Sequence, residues 1–429
     1  MAHVVVLGAG LGGLPAAFEL RKEIGRGVQI TIINDADSFF FIPSNPWVAV
    51  GWRKPEQISV PLRQVLARKN IDLIVDRAER VDPEHNTVVL GGGRGVSYDY
   101  LLIATGAKLA FDEIPGFGPD RFTQSVCTVD HSLKALTRYQ AFLKDPGPVV
   151  VGAAQGASCF GPAYETAMII DADLRKRRIR DRVPITFVTS EPYVGHLGLG
   201  GVSDSRGMLE STLRKRDIKF IPNAKFVEAR EDAVIIQEHT PDGKPWGDPR
   251  EIASSLRMVI PAFKGVDAVA AAPEICNPRG FVKVDRYQRN DKFTNLYAAG
   301  VCVAIAPPDP TPVPTGVPKS GYMIESMVST AVANIKAAIS GQEGNATGTW
   351  NAICLADLGD TGMAFVALPQ IPPRNVVWAG EGKWVHLAKI GFEKYFLRKM
   401  RKGSSEPVYE RWVLKRLGIT RIRKESVIH

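Results

Sequence analysis

The chain has 429 residues, 45% of them hydrophobic and 23% charged, with a net charge of +9. That length suits roughly two or three globular domains, and no apolar run approaches a bilayer span. The five cysteines form no CxxC pair, which does not suggest a disulfide scaffold or a zinc site, so no metal is expected. In chain order, the first predicted strand is Val4–Leu7, and with nothing ahead of it the N-terminus reads as lacking a secretory signal. Gly8-Ala9-Gly10-Leu11-Gly12-Gly13 follows at once, then a predicted helix from Pro15 to Lys22. Gly8 permits the tight turn, Gly10 lets a pyrophosphate approach the backbone, and Gly13 lets the helix pack on the strand. The helix N-terminus favours the phosphates through its free N–H groups and dipole. Strand, turn and helix in this order point to a dinucleotide.

The next strand, Gln29–Ile33, ends at Asn34, where such units place an acid for the ribose hydroxyls. Asn34 is expected to serve through its amide. Two later passages end alike: Tyr98–Ile103 in Ala104-Thr105-Gly106, and Asn295–Ala298 in Ala299-Gly300. They resemble the two returns to FAD in two-dinucleotide-domain flavoproteins, except that Val301 stands where that family carries an acid. The resemblance implies FAD contacts from Gly8, Ala9, Gly10, Gly12, Gly13, Asn34, Thr105, Gly106, Gly300, Val301, Lys319 and Gly321.

Pro146-Gly147-Pro148 marks a boundary, after which Val149–Val151 enters Gly152-Ala153-Ala154-Gln155-Gly156. A helix to about Arg175 and the strand Ile185–Val188 complete a second βαβ unit. Ala154 stands where its second glycine belongs, so this unit is not expected to bind NAD(P)H. The predicted architecture is α/β, with two Rossmann-like βαβ domains, the second inserted in the first. Residues 1–110 and 290–340 form the FAD domain, 147–289 the second domain and 345–429 a C-terminal quinone and membrane-contact region. A proline-rich stretch, Pro307–Pro318, precedes a helix beginning near Lys319.

The excess charge sits at the C-terminal end. From Lys383 to Lys424, thirteen Lys/Arg face three acids, with Trp384, Phe392, Tyr395, Phe396, Met400, Tyr409, Trp412 and Leu417 at near-helical spacing. A basic amphipathic helix with aromatics reads as a monotopic membrane anchor. The other readings are a helix packed on the body and a nucleic-acid surface; no nucleic-acid partner is expected, because Trp and Tyr suit a headgroup region.

Cys127, Cys159 and Cys354 stand out among the cysteines. Cys159 precedes a predicted helix, whose dipole is expected to lower its thiol pKa. His131 and His196 are candidate proton carriers. Glu165 could serve likewise, or stand paired on its helix. Lys319, at the start of the later helix, would stabilise negative charge on a reduced flavin. Cys276 has no assigned role, and Cys302 is expected to be buried.

The Gly8–Gly13 fingerprint, Phe41–Trp47, Cys127–His131, Ala157–Glu165, Thr315–Met323, Thr349–Cys354 and the tail around Phe392 and Tyr409 occur in this order. Together they resemble the bacterial sulfide:quinone oxidoreductases over nearly the whole chain. The resemblance implies that sulfide attacks a disulfide or sulfur-bridged form of Cys159 and Cys354. A persulfide forms on one cysteine, and the freed thiolate, that of Cys354, passes two electrons to FAD. Cys127 matches a third essential cysteine, which either bonds the flavin or helps release sulfur. Phe392 and Tyr409 would sandwich the ring of a membrane quinone. The partners implied are hydrogen sulfide, a membrane quinone and the surface of the inner membrane. Deleting the chain from Lys383 is then expected to leave a soluble protein still reduced by sulfide. The competing readings are an NADH:quinone oxidoreductase, the flavin subunit of a sulfide dehydrogenase that donates to a cytochrome, and a flavin-binding interaction protein without turnover.

Overall fold

A computed structural model describes residues 2–407, 410, 412, 414, 416 and 418–424. Two parallel sheets organise the chain. The first runs Leu296–Ala298, Tyr100–Ile103, His3–Leu7, Gln29–Asn34, Asp72–Val75 in spatial order. Every neighbouring pair in it is parallel, with Val4 against both Ile30 and Tyr100. Its central strand reads as an unbroken apolar run because both faces are covered. Val4, Val5 and Val6 are fully buried.

The second sheet orders Ile218–Ile221, Ile185–Thr189, Val149–Ala153 and Leu256–Ile260, again all parallel. The helix Gly161–Lys176 crosses over between Val149–Ala153 and Ile185–Thr189. The long insertion between Tyr100–Ile103 and Leu296–Ala298 contains this whole sheet. The chain is therefore an α/β protein with two Rossmann-like units, one inserted in the other. After the second sheet it returns to the first and runs through the helix Gly321–Ile339.

The C-terminal part adds an antiparallel sheet of Ala352–Asp357, Gly362–Leu368 and Val376–Glu381. The helix Lys383–Arg401 follows and is called the tail helix below. Phe396, Leu397 and Met400 of this helix belong to the same buried cluster as the first sheet. Phe396 packs on Phe39 and Phe41, with ring centroids 6.1 and 5.0 Å away. Among the described residues, no helix is long and apolar enough to cross a membrane.

Candidate active site

The first glycine turn is built for close approach. Gly8 has φ +99°, and a Cβ there would meet the Ala104 carbonyl oxygen at 2.6 Å. A Cβ on Gly13 would fall 1.8 Å from the Gly8 oxygen, so strand and helix meet with no side chain between them. Gly10 differs: the space beside it is open, which leaves a cradle that a Cβ would partly fill. The helix Gly13–Ile24 has no side-chain cap and no acid in its first turn. Its N-terminal N–H groups suit the phosphates of a dinucleotide. Gly12 lies 3.5 Å from both Ala104 and the Ala299 oxygen, measured from an ideal Cβ. The Cys302 thiol donates to the carbonyls of Ile103 and Ala299, each at 3.3 Å. The turn and the two later passages thus converge at the ends of the parallel strands, where open α/β sheets bind ligands.

Two expected contacts look different here. The Asn34 amide is engaged by the turn itself: its oxygen accepts from Ala9 N at 2.8 Å and its NH2 donates to the Ala36 carbonyl at 2.8 Å. Asn34 braces the glycine turn through both ends of its amide. Val301 packs against the apolar core of the first sheet.

The second glycine turn is filled by protein. Gly156 N donates to Pro314 O at 2.7 Å, and Gly316 N donates to Ala157 O at 2.8 Å. A Cβ on Gly316 would lie 2.1 Å from Ser158 Oγ. The proline-rich stretch occupies the position from which a pyrophosphate would take this turn's donors.

Cys127, Cys159 and Cys354 are free, half-buried cysteines. They are close enough for each to act on the charge of the next. Burial pushes Cys159 up to about 12, assisted by Glu165 and Cys354 and opposed by Lys319. Burial and Glu165 push Cys354 up to about 11, against a hydrogen bond from Ser320 and the charge of Lys389. Burial and Cys159 push Cys127 up to about 12, against its bond with Ser125. The depressed Cys159 pKa expected from its place before a helix is therefore overturned. It does precede the helix at Gly161, but desolvation outweighs the dipole.

Lys319 lies two residues before the helix Gly321–Ile339, in the stretch that precedes it. Burial lowers its pKa to about 8, opposed by Cys302 and Cys159. Its ammonium stands 5.3 Å from the Phe281 ring. Among the described residues no carboxylate pairs with it. A cation without a carboxylate beside the cysteines and the flavin passages fits an anionic cofactor.

His131 Nδ1 is 3.1 Å from Ser125 Oγ, and Ser125 also bonds the Cys127 thiol. Burial lowers the His131 pKa. His196 is buried with Nδ1 unpartnered, and burial lowers its pKa as well. Glu165 is paired: it accepts from Lys389 Nζ and from Asp357 N at 2.6 Å. Burial still raises its pKa. Lys389 comes from the tail helix, and nothing in the sequence pairs it with a residue so distant in the chain.

On the outer side of the tail helix, Phe392 is 43% exposed and lies 5.9 Å from the Phe41 ring. Tyr409 lies outside the described residues. Sequence reasoning missed the strand Val376–Glu381. Its Val376, Val377 and Trp378 are exposed, as are Trp384, Leu387 and Ile42. Alternation along that strand gave no signal, because these three apolar neighbours are all open.

The pyridine nucleotide-disulphide oxidoreductase family model matches residues 2–333. The chain is 42% identical to the sulfide-quinone reductase of Aquifex aeolicus, covering 96% of this chain and 94% of that protein. The mouse mitochondrial sulfide:quinone oxidoreductase is 27% identical over 70% of this chain and 65% of that one. The X-ray structure of the Aquifex aeolicus sulfide:quinone oxidoreductase superposes with a TM-score of 0.95 at 41% identity, covering 99% and 98% of the two chains. An NDH2 from Plasmodium falciparum, solved with NADH, has a TM-score of 0.58 at 18% identity, over 70% of this chain and 64% of that one, which shows a shared fold only. The convergent glycine turn, the cysteine cluster and the full-length match agree: the chain belongs to the sulfide-quinone reductases within the pyridine nucleotide-disulphide oxidoreductases.

Proposed function

We propose that the protein oxidises hydrogen sulfide and passes two electrons through FAD to a quinone. The observation that carries this reading is the cluster of Cys159, Cys354 and Lys319 in a chain so similar to sulfide-quinone reductases. FAD is the cofactor, held by residues 1–110 and 290–340 through the Gly8–Gly13 turn, Thr105, Gly106, Gly300 and Gly321. Bound FAD supplies a two-electron relay between sulfide and quinone.

Cys159 and Cys354, free thiols in this structure, would be joined as a disulfide by two-electron oxidation through FAD, and hydrosulfide attacks that disulfide. A sulfur–sulfur bond forms to one cysteine as the cystine bond breaks, which leaves a persulfide and one thiolate. The burial that raises both thiol pKa values makes that thiolate a poor resting charge. Lys319 and Lys389 are the cations near enough to hold it. The Cys127 thiol, Ser125 and His131 line up to carry a proton away. The domain 147–289 serves as the wall of the sulfide site, and the filled second glycine turn supports its not binding NAD(P)H.

On the other side, Phe392 and Tyr409 take the quinone ring. The region 345–429, with Ile42, Val376, Val377 and Trp378, rests on the inner membrane as a monotopic surface, which opens the quinone site where quinone dissolves. Exposed apolar and basic groups side by side support this.

Sulfide added without oxygen should bleach the yellow flavin, and a quinone should restore it. Cys159→Ala and Cys354→Ala should each lower sulfide:quinone turnover about 100-fold, equal to about 2.7 kcal/mol of transition-state stabilisation. FAD content should be unchanged. Near-normal turnover in both variants would overturn the cysteine mechanism.

A further inference from the structure

We infer that Glu191 is the latch that seats the loop of residues 193–204 over the cysteine face and thereby positions His196; the role rests on the sulfide reading above. Glu191 follows the strand Ile185–Thr189. A nucleotide-binding unit places its ribose acid at this point. Here the side chain is fully buried. One carboxyl oxygen accepts from Tyr164 Oη at 2.6 Å and Thr189 Oγ1 at 2.8 Å, and the other accepts from Leu197 N at 2.6 Å. Tyr164 Oη in turn accepts from Gly195 N at 2.9 Å. The carboxyl therefore grips the loop at two points flanking His196.

The loop is strained and needs such a grip. Leu197 has φ +59° and Ser203 φ +52°, a region that L side chains disfavour. The Leu197 N–H is the one that Glu191 takes. From the far side, Arg374 donates to the carbonyls of Gly201 at 2.7 Å and Leu199 at 2.8 Å. The tip fits without clearance: a Cβ on Gly198 would fall 2.3 Å from Gly316 O and 3.2 Å from both Phe160 and Pro318. Phe160 follows Cys159, and Pro318 precedes Lys319, so the tip packs on the chain neighbours of the cysteine and the lysine of the sulfide site. An acid positioned for a nucleotide is thus turned inward to close the cleft.

Burial raises the Glu191 pKa to about 7, while Tyr164, Leu197 and Thr189 pull it down. Among the described residues, the ionisable groups around it are Tyr164 on its helix, with Glu210 acting on it, and Tyr193 on the loop, with Arg206 and Arg374 acting on Tyr193. No cation pairs with the carboxyl among the described residues. The raised value means the neutral form is favoured. The latch is at full strength below the ordinary carboxyl pKa, about 4.5, and weakens as pH climbs through about 7.

The test uses full-length, FAD-loaded protein, anaerobic stopped-flow with sulfide and then with a short-chain quinone, and limited proteolysis. Glu191→Ala should raise the sulfide concentration for half-maximal flavin bleaching about tenfold. Its bleaching rate should lose the pH dependence that the wild type shows between about pH 5 and 8. Cleavage within residues 193–204 should increase. Reoxidation by quinone and FAD content should stay at wild-type values. Arg374→Met should open the loop similarly and keep the pH dependence. Wild-type sulfide kinetics and loop cleavage in Glu191→Ala would overturn the latch, as would parallel loss of both half-reactions and of FAD. Failure of sulfide to bleach the wild type would overturn the sulfide reading, with loop cleavage still reporting on the latch.

Discussion

Lys319 shows how one side chain can be costly to the fold and useful to the chemistry. Its pKa is lowered to about 8 because burial disfavours the ammonium and, among the described residues, no carboxylate answers it. In the flavin-free protein that cation is a burden at neutral pH. Lys319→Met should therefore raise the melting temperature of flavin-free protein at pH 7. The gain should fade as pH rises through about 8, where the folded lysine already sheds its proton while the unfolded one still holds it. In the FAD-loaded protein the same change should lower the flavin potential by on the order of 30 mV, which is about 1.4 kcal/mol for a two-electron couple. Spectroelectrochemistry and thermal melts at two pH values check both halves; an unchanged potential would remove Lys319 from the flavin's surroundings. Residues of this kind were legible by type. Gly8, Gly10 and Gly13 announce themselves because close backbone approach tolerates nothing larger. The bracing role of Asn34, the pairing of Glu165 with Lys389 and the raised thiol pKa values were not legible, since each depends on neighbours far along the chain and on burial.

Among elements, the proline-rich stretch before Lys319 has the clearest consequence. The sequence marks it as rigid, and the degraded Gly152–Gly156 turn already argues against a nicotinamide nucleotide. What the sequence could not give is that the two facts meet. Pro314 takes the Gly156 N–H, and Gly316 binds back to Ala157. A nucleotide would have to displace a segment whose prolines leave it little freedom to move aside. NADH and NADPH at millimolar concentration should therefore leave the flavin oxidised under conditions where sulfide bleaches it. Rapid bleaching by NADH would favour an NADH:quinone oxidoreductase. The strands and helices were readable because apolar runs and glycine turns fall at Rossmann spacing. The strand Val376–Glu381 escaped because its exposed Val376, Val377 and Trp378 follow neither a core pattern nor a surface one.

At the scale of the whole molecule, the tail helix is tied to the body by buried ion pairs, which argues against removing it cleanly. Its outer face presents Trp384, Leu387 and Phe392. Its inner face carries Lys389 to Glu165, Glu393 to Arg53 and Ser44, and Lys399 to Glu325. Lys399 is 3% exposed, and Glu325 is held also by Arg421. Taking away one partner of a buried ion pair costs about 3–5 kcal/mol, and a typical protein has only about 5–15 kcal/mol in all. Deletion from Lys383 would strand Glu165 and Glu325 and uncover Phe39 and Phe41, so the truncated protein should fail to fold or to retain FAD. Lys399 is likewise unsuitable for charge reversal. The exposed set Lys394, Arg398 and Lys402 is the informative one. Reversing these three to Glu should weaken binding to anionic liposomes, an attraction that added salt also screens, while sulfide still bleaches the flavin. Phe392→Ala should do the reverse, slowing reoxidation by quinone about tenfold with liposome binding retained. A truncated protein that keeps FAD and is bleached by sulfide would show that the buried ion pairs of this helix are dispensable.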